Sequence, residues 1–182
     1  RLAIADPPYL GRAHRWYGDS TRKYRNNTER IASSSDVHPD AHKWDEPEMH
    51  RGLVERLQQD YDGWAIAMHA ENLTHYLQWV PTVTRTCVWV DPRRIPSGHR
   101  IRRVWEPVLV YVPEGRRDRV TGPPMTDVLT SGAPHTFVGA KPAAWTRWVL
   151  DMLGYDPETD TVDDLFHGSG AVANEIAQGV LL

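Results

Sequence analysis

Two short segments carry residue types that could do chemistry. Asp6-Pro7-Pro8-Tyr9 follows the apolar run Leu2-Ala3-Ile4-Ala5. It sets a carboxylate beside a backbone carbonyl, stiffens both through the fixed φ of proline, and adds an aromatic ring. An amine conjugated to a heterocycle is a poor nucleophile, because its lone pair is delocalised. A carboxylate and a carbonyl that accept hydrogen bonds from the amine protons favour a tetrahedral nitrogen, freeing that lone pair. The ring face of Tyr9 could stack on an extruded base. The second segment, Asp164-Leu165-Phe166-His167-Gly168-Ser169-Gly170, follows Thr161-Val162-Asp163. Glycines between a strand and a helix let the backbone approach a nucleoside closely. No lysine follows Gly170, so the loop is not a phosphate-binding one. The plainer alternatives are a turn capped by Asp6 and a glycine-rich connection that serves packing.

Both segments read as strands ending in loops, which is where ligands bind in open α/β sheets. Residues 2–6 predict a buried strand. Apolar positions 49, 53, 54 and 57 predict a helix over 48–60. A second strand is expected at 63–68, then a short helix over 71–79 that Pro81 stops. Strands at 84–90 and 106–112 flank an Arg-rich connection with Pro92, Pro96 and Gly98, the pattern of a long hairpin. Residues 113–141 read as loop. Pro142 and Gly154 bracket a helix over 142–153. A fifth strand over 161–166 and a helix over 171–178 complete the chain. This alternation predicts a single α/β domain over 1–182, its largely parallel sheet covered by helices.

The net charge of −3 argues against a nucleic-acid binder, yet the charge is uneven. Arg93, Arg94, Arg100, Arg102 and Arg103 form one basic stretch, and Arg12, Arg15, Arg22, Lys23, Arg25 and Arg30 another. Either could track a phosphate backbone or simply be solvated. The single cysteine, Cys87, lies in a strand-like run and reads as a buried small side chain, in keeping with a reducing cytoplasm. No apolar run is long enough for a membrane span. His38 and His42 lack the companions of a metal site, so no metal is expected.

In order and spacing, these segments resemble the S-adenosylmethionine-dependent amino-methyltransferases, which methylate the exocyclic nitrogen of adenine or cytosine. The catalytic segment precedes the glycine segment, as in the permuted β-class arrangement of DNA methyltransferases. The resemblance implies a Rossmann-like methyltransferase fold, a mostly parallel open sheet with helices on both faces. It assigns Asp6 and the Pro7 carbonyl to the target amine, with Pro8 and Tyr9 completing the motif. Asp164 would lie near the methionine amino group of S-adenosylmethionine and Phe166 beside the cofactor, wrapped by Gly168, Ser169 and Gly170. Lys141-Pro142 resembles a Lys-Pro motif in which Lys141 contacts the cofactor carboxylate. Taken alone, this pair is a surface lysine before a helix. Trp105-Glu106-Pro107-Val108-Leu109 resembles a Glu-Pro strand near the base pocket.

Asp at the first motif position is more typical of adenine enzymes, so the expected reaction is N6-adenine methylation of DNA. N4-cytosine methylation is the alternative on the same scaffold, and a non-catalytic nucleic-acid-binding subunit is the alternative of a different class. C5-cytosine chemistry needs a cysteine nucleophile, and Cys87 follows Thr86, outside the Pro-Cys context of that family. Arg12, Arg15, Lys23, Arg94 and Arg102 are the candidate DNA contacts. Two parts of the family pattern fall short. The acidic residue expected about twenty positions past the glycines would lie beyond Leu182, and the sheet would lack its last strands. Residues 113–140 leave a reduced recognition region. Recognition would then rest on residues 10–47, on a homodimer partner, or on a very short target site.

Overall fold

The computed structural model describes residues 1–18, 22–23, 29–30, 40–93, 101–117, 124–134, 139–168 and 170–177. In chain order the elements are β1 (Leu2–Ala5), α1 (Ala13–Tyr17), β2 (Arg22–Lys23), β3 (Glu29–Arg30), α2 (Pro47–Asp60), β4 (Gly63–Ala67), α3 (Leu73–Tyr76), β5 (Arg85–Val90), β6 (Trp105–Tyr111), α4 (Glu114–Arg117), β7 (Val128–Thr130), α5 (Ala143–Met152), β8 (Val162–Asp164) and α6 (Ala171–Ala177). Short 3-10 turns precede α2 and α3. Among the described residues, no helix is long and apolar enough to cross a membrane.

Six strands form one mixed, mostly parallel sheet in the order β7-β5-β6-β4-β1-β8. β1 pairs in parallel with β4 on one side and β8 on the other. β6 runs against both its neighbours, β4 and β5. The expected hairpin of β5 and β6 is therefore present, and β6 breaks the parallel run. β2 and β3 pair separately.

Every residue of β1 and β4 is buried, because both faces of the central strands are covered. Ala3, Ala5, Trp64 and Ile66 face one way and pack with Leu53, Val54 and Leu57 of α2. Leu2, Ile4, Ala65 and Ala67 face the other way and pack with Trp145, Trp148 and Val149 of α5 and Val172 of α6. Thus α2, which leads from β1 to β4, and α6, which follows β8, lie on opposite faces of the sheet. That is a topological switch point, and the crevice it opens lies at the carboxyl ends of those strands.

Residues 113–141 are not all loop. Val128–Thr130 adds to the edge of the sheet parallel to β5, with Val88 N–H bonded to the Asp127 carbonyl at 2.8 Å. Three residues are too few to show a strand period in sequence, and the pairing comes from the neighbour. The helix expected over 71–79 divides into a 3-10 turn, Ala70–Asn72, and α3. Among the described residues of 10–47 are α1 and the 3-10 turn Ala41–Asp45.

A buried ion pair locks the approach to β8. Arg116 of α4 reaches Asp160 with both terminal guanidinium nitrogens and also donates to the carbonyls of Leu153 and Gly154. Both side chains are almost fully covered. Burial alone would raise the Asp160 carboxyl, but Arg116 and the Asp156 N–H outweigh it and hold it low. Removing Arg116 leaves a buried carboxylate without its cation. Arg116→Ala should therefore cost about 3–5 kcal/mol in urea unfolding, while Arg117→Ala, on the exposed side of the same turn, should cost less than about 1 kcal/mol.

Candidate active site

The alternation of β1 decides where Asp6 points. Leu2 and Ile4 face α5, and Asp6 continues their phase past the strand end. In β6, Val108 and Val110 face α5, and Glu106 shares their phase. Pro142 caps α5 and sets Lys141 just before the helix. Three charged residues from distant parts of the chain therefore meet above one face of the sheet.

Lys141 sits at the centre. Its ammonium donates to Asp6 Oδ2 at 2.6 Å, the Tyr9 hydroxyl at 3.1 Å and the Gly139 carbonyl at 3.3 Å. Its three donors are thus all engaged. Glu106 Oε2 lies 3.5 Å away. The Tyr9, Trp89 and Trp145 rings stand 5.5–5.8 Å from the ammonium, within cation–π range. Tyr9 donates its hydroxyl proton to Glu106 Oε2 at 2.7 Å, and the Tyr9 hydroxyl oxygen lies 3.3 Å from Asp6 Oδ1. Gly139, at φ +85°, is also where a side chain would not fit, since a Cβ there would lie 2.9 Å from the Tyr17 hydroxyl.

Burying an ion costs several kcal/mol, and one opposite charge near 4 Å returns roughly 4 kcal/mol at an intermediate dielectric. One carboxylate would barely hold Lys141, whereas two hold it firmly. Burial pulls its pKa down, but Asp6 and Glu106 more than offset this and keep it above the usual value. Burial raises Asp6, and the Glu106 charge adds to it, while Lys141 acts against both. The net direction is upward. Burial, then Asp6 and Glu106, push the Tyr9 phenol well above its usual range. The Asp6 side chain is 23% exposed, against 6% for Lys141 and 7% for Glu106, so a ligand reaches the cluster through Asp6.

The glycine segment ends the neighbouring strand at the same rim. Ile4 pairs with Asp164, and Leu165 N–H bonds to the Ile4 carbonyl at 3.0 Å. Asp164 shares the face of Ile4, and hence of Asp6. Its carboxylate accepts the Phe166 N–H at 3.2 Å, and burial raises its pKa. A cationic group would satisfy it. Gly168 and Gly170 both have positive φ, the left-handed turn that side chains resist. Phe166 packs edge-on against Trp44 at 5.0 Å. Trp44 is in turn held by a buried relay: Tyr76 donates to His50 Nδ1 at 2.5 Å, and His50 Nε2–H donates to the Trp44 carbonyl at 2.7 Å. Burial lowers the His50 pKa and keeps the imidazole neutral.

Of the residues read from sequence, Asp6, Tyr9 and Lys141 come into direct contact, and Asp164, Phe166, Gly168 and Gly170 stand one strand away. Pro7 and Pro8 form the loop between Asp6 and Tyr9. Lys141 reaches Asp6 and Tyr9 from the α5 side. Arg12 pairs with Glu71 at 2.8 Å, and Arg102 donates to the Pro92 carbonyl at 3.5 Å. Ser169 and Arg94 lie outside the described residues, as do the side chains of Arg15 and Lys23. Cys87 is buried, and its thiol is pushed up to about 11, so it stays protonated. Glu106 belongs to the cluster on equal terms with Asp6. Its sequence signal is a charge in phase with the buried Val108 and Val110, which demands a buried partner.

His69, at the end of β4, was not expected at this rim. Its ring stands 6.2 Å from that of Tyr9. Its Nδ1 accepts the Glu71 N–H at 3.2 Å, and Arg103 Nη1 lies 3.0 Å from its Nε2. Burial, then the Arg12 charge, lower its pKa from 6.5 to about 4. The unfolded chain therefore takes up this proton first as pH falls. The stabilisation is whole above pH 6.5 and drains between pH 6.5 and 4, on the order of 3 kcal/mol. His69→Asn should flatten that slope when urea unfolding is compared at pH 7 and pH 4.5. No known family model matches this chain, and a search of curated proteins finds no significant match.

Proposed function

We propose that this protein is an S-adenosylmethionine-dependent DNA methyltransferase acting on the exocyclic N6 of adenine, built on a Rossmann-like methyltransferase fold in permuted order. The carrying observation is the pairing of β1 with β8. It brings Asp6-Pro7-Pro8-Tyr9 beside Asp164, Phe166, Gly168 and Gly170, at a switch point between helices on opposite faces.

The residues present suit the cofactor. Asp164 is a mostly covered carboxylate with a raised pKa, suited to an amino group. The left-handed turns at Gly168 and Gly170 suit close backbone approach. The Asp6 carboxylate, partly exposed at the same rim, suits a cationic donor. When bound, S-adenosylmethionine supplies an activated methyl group on a positively charged sulfur.

The chain itself orients the acceptor. Lys141 occupies Asp6 Oδ2, which leaves Oδ1 to accept from an amine proton. The Pro7 carbonyl, fixed by the rigid loop, accepts from the other. The ion pair keeps the Asp6 carboxylate aimed, so little reorganisation is needed at the moment of transfer. In this reading Lys141 acts on the catalytic carboxylate itself, as a positioning residue. Arg12 and Arg103, both paired with Glu71, flank His69 beside Tyr9 and are placed to meet the strand that carries the target base.

Asp6→Ala should lower methyl transfer to DNA by at least about a hundredfold, while calorimetry still detects S-adenosylmethionine binding within a few-fold of the parent protein. Digesting the methylated DNA to nucleosides should give N6-methyladenine. N4-methylcytosine would move the assignment to the cytosine enzyme, and retained activity in Asp6→Ala would remove Asp6 from the mechanism.

A further inference from the structure

Three loops meet beside Tyr9. Arg12 follows the Asp6–Tyr9 loop, its N–H bonded to the Tyr9 carbonyl at 2.9 Å. His69 and Glu71 follow β4, and Arg103 precedes β6. Two guanidinium groups converge there on one carboxylate. Arg12 Nη2 reaches Glu71 Oε2 at 2.8 Å, and Arg103 Nη1 reaches Glu71 Oε1 at 2.8 Å. Their burial is unequal. The arginine side chains are 23% and 32% exposed, and that of His69 is 12%, whereas Glu71 is 58% exposed. The cations are set into the surface, and the anion that joins them is the most exposed member.

His69 adds a mismatch. Burial, then the Arg12 charge, lower its pKa to about 4, so the imidazole is neutral and has one lone pair. Both ring nitrogens nevertheless face donors: the Glu71 N–H at 3.2 Å from Nδ1, and Arg103 Nη1 at 3.0 Å from Nε2. With Nδ1 accepting, the Nε2 proton stands beside a guanidinium that carries only protons. An anion within reach of both donors removes that conflict. The Glu71 carboxylate approaches the ring on the Nδ1 side, at 3.7 Å, and leaves it in place.

Resting on the methyltransferase reading, we propose that Arg12, Arg103 and the His69 Nε2–H form the seat for the phosphodiester adjoining the target nucleotide, and that Glu71 occupies this seat in the free protein and is displaced when DNA binds. The exchange is like for like, since a carboxylate and a phosphodiester each present two anionic oxygens to paired guanidinium groups. Exposed ion pairs contribute little, because water and salt screen them, so Glu71 leaves readily. The incoming phosphate adds the release of counterions from DNA. The seat outlasts the exchange because uncharged bonds also hold its loops. Asn72 Nδ2 donates to the Leu10 carbonyl at 3.3 Å, and the Met68 N–H to the Pro107 carbonyl at 3.2 Å. The Tyr9 and His69 rings stand 6.2 Å apart, which places a base stacked on Tyr9 and a phosphate on the seat in neighbouring parts of one strand.

The test follows binding of a short fluorescent DNA duplex of mixed sequence to the full chain, by anisotropy, over a range of salt. Arg12→Ala and Arg103→Ala should each weaken binding about threefold to tenfold, and removing both should lower the slope of log affinity against log salt by about one. Glu71→Gln and Glu71→Ala should instead strengthen binding by about threefold to tenfold, because the competing anion is gone. Glu55→Gln, which removes an exposed charge from α2, should change binding by less than about twofold. The gain from Glu71→Gln should vanish when both arginines are alanine. Inorganic phosphate should compete only at millimolar concentration. Unchanged or weaker binding in both Glu71 variants, the behaviour of a structural clamp, would overturn the proposal. So would a gain that persists without the arginines, a parent protein that does not bind the duplex, or competition by micromolar phosphate, which would make the seat one for free phosphate. These outcomes are read without methyl transfer. A parent protein that binds DNA as expected but methylates none overturns the methyltransferase reading instead.

Discussion

The site rests on one buried ammonium. Lys141 is held by two carboxylates, a phenol and a carbonyl, and ringed by three aromatic faces. Its charge offsets the repulsion between Asp6 and Glu106, which two neighbouring carboxylates would otherwise feel. The ion also ties the end of β1 to the start of β6 and the entry to α5. The pieces of the rim that would do the chemistry are therefore fixed by the same contact that makes their charges tolerable. Side chains held this way lose little freedom when a ligand arrives.

Around that ion the architecture does a simpler job. The central strands are buried on both faces, so their ends, not their surfaces, are the places where polar groups can meet a ligand. α2 and α6 cover opposite faces of the sheet on either side of these ends. The Arg116–Asp160 pair fixes the entry to β8, and the Tyr76–His50–Trp44 relay fixes Phe166 beyond its end. One anchors the start of β8 and the other the segment just past its end, both with hydrogen bonds made within the protein. The glycine loop itself keeps a carboxylate, Asp164, whose one backbone partner leaves room for another.

Much of the frame was legible beforehand because its signals are local. The apolar run ending at Asp6, the helical face at positions 53, 54 and 57, and the Pro-bracketed helix before Gly154 each depend on a few neighbours. β7 was not legible, since three residues gain their strand conformation only by pairing with β5. The break in the helix at Ala70–Tyr76 leaves no mark in the sequence, because a 3-10 turn and an α turn have nearly the same spacing.

The amino-acid order alone determined the two motifs, the strands that carry them, and the stiff proline loop that sets a carbonyl beside a carboxylate. These follow from bonded geometry and from spacing along a few residues. Only the folded chain decided that Lys141 would reach Asp6 across 135 residues, and Tyr9 reach Glu106 across 97. Strand register and the choice of sheet face set those meetings. A charge far away in sequence becomes a partner only when burial removes the water that would otherwise have satisfied it.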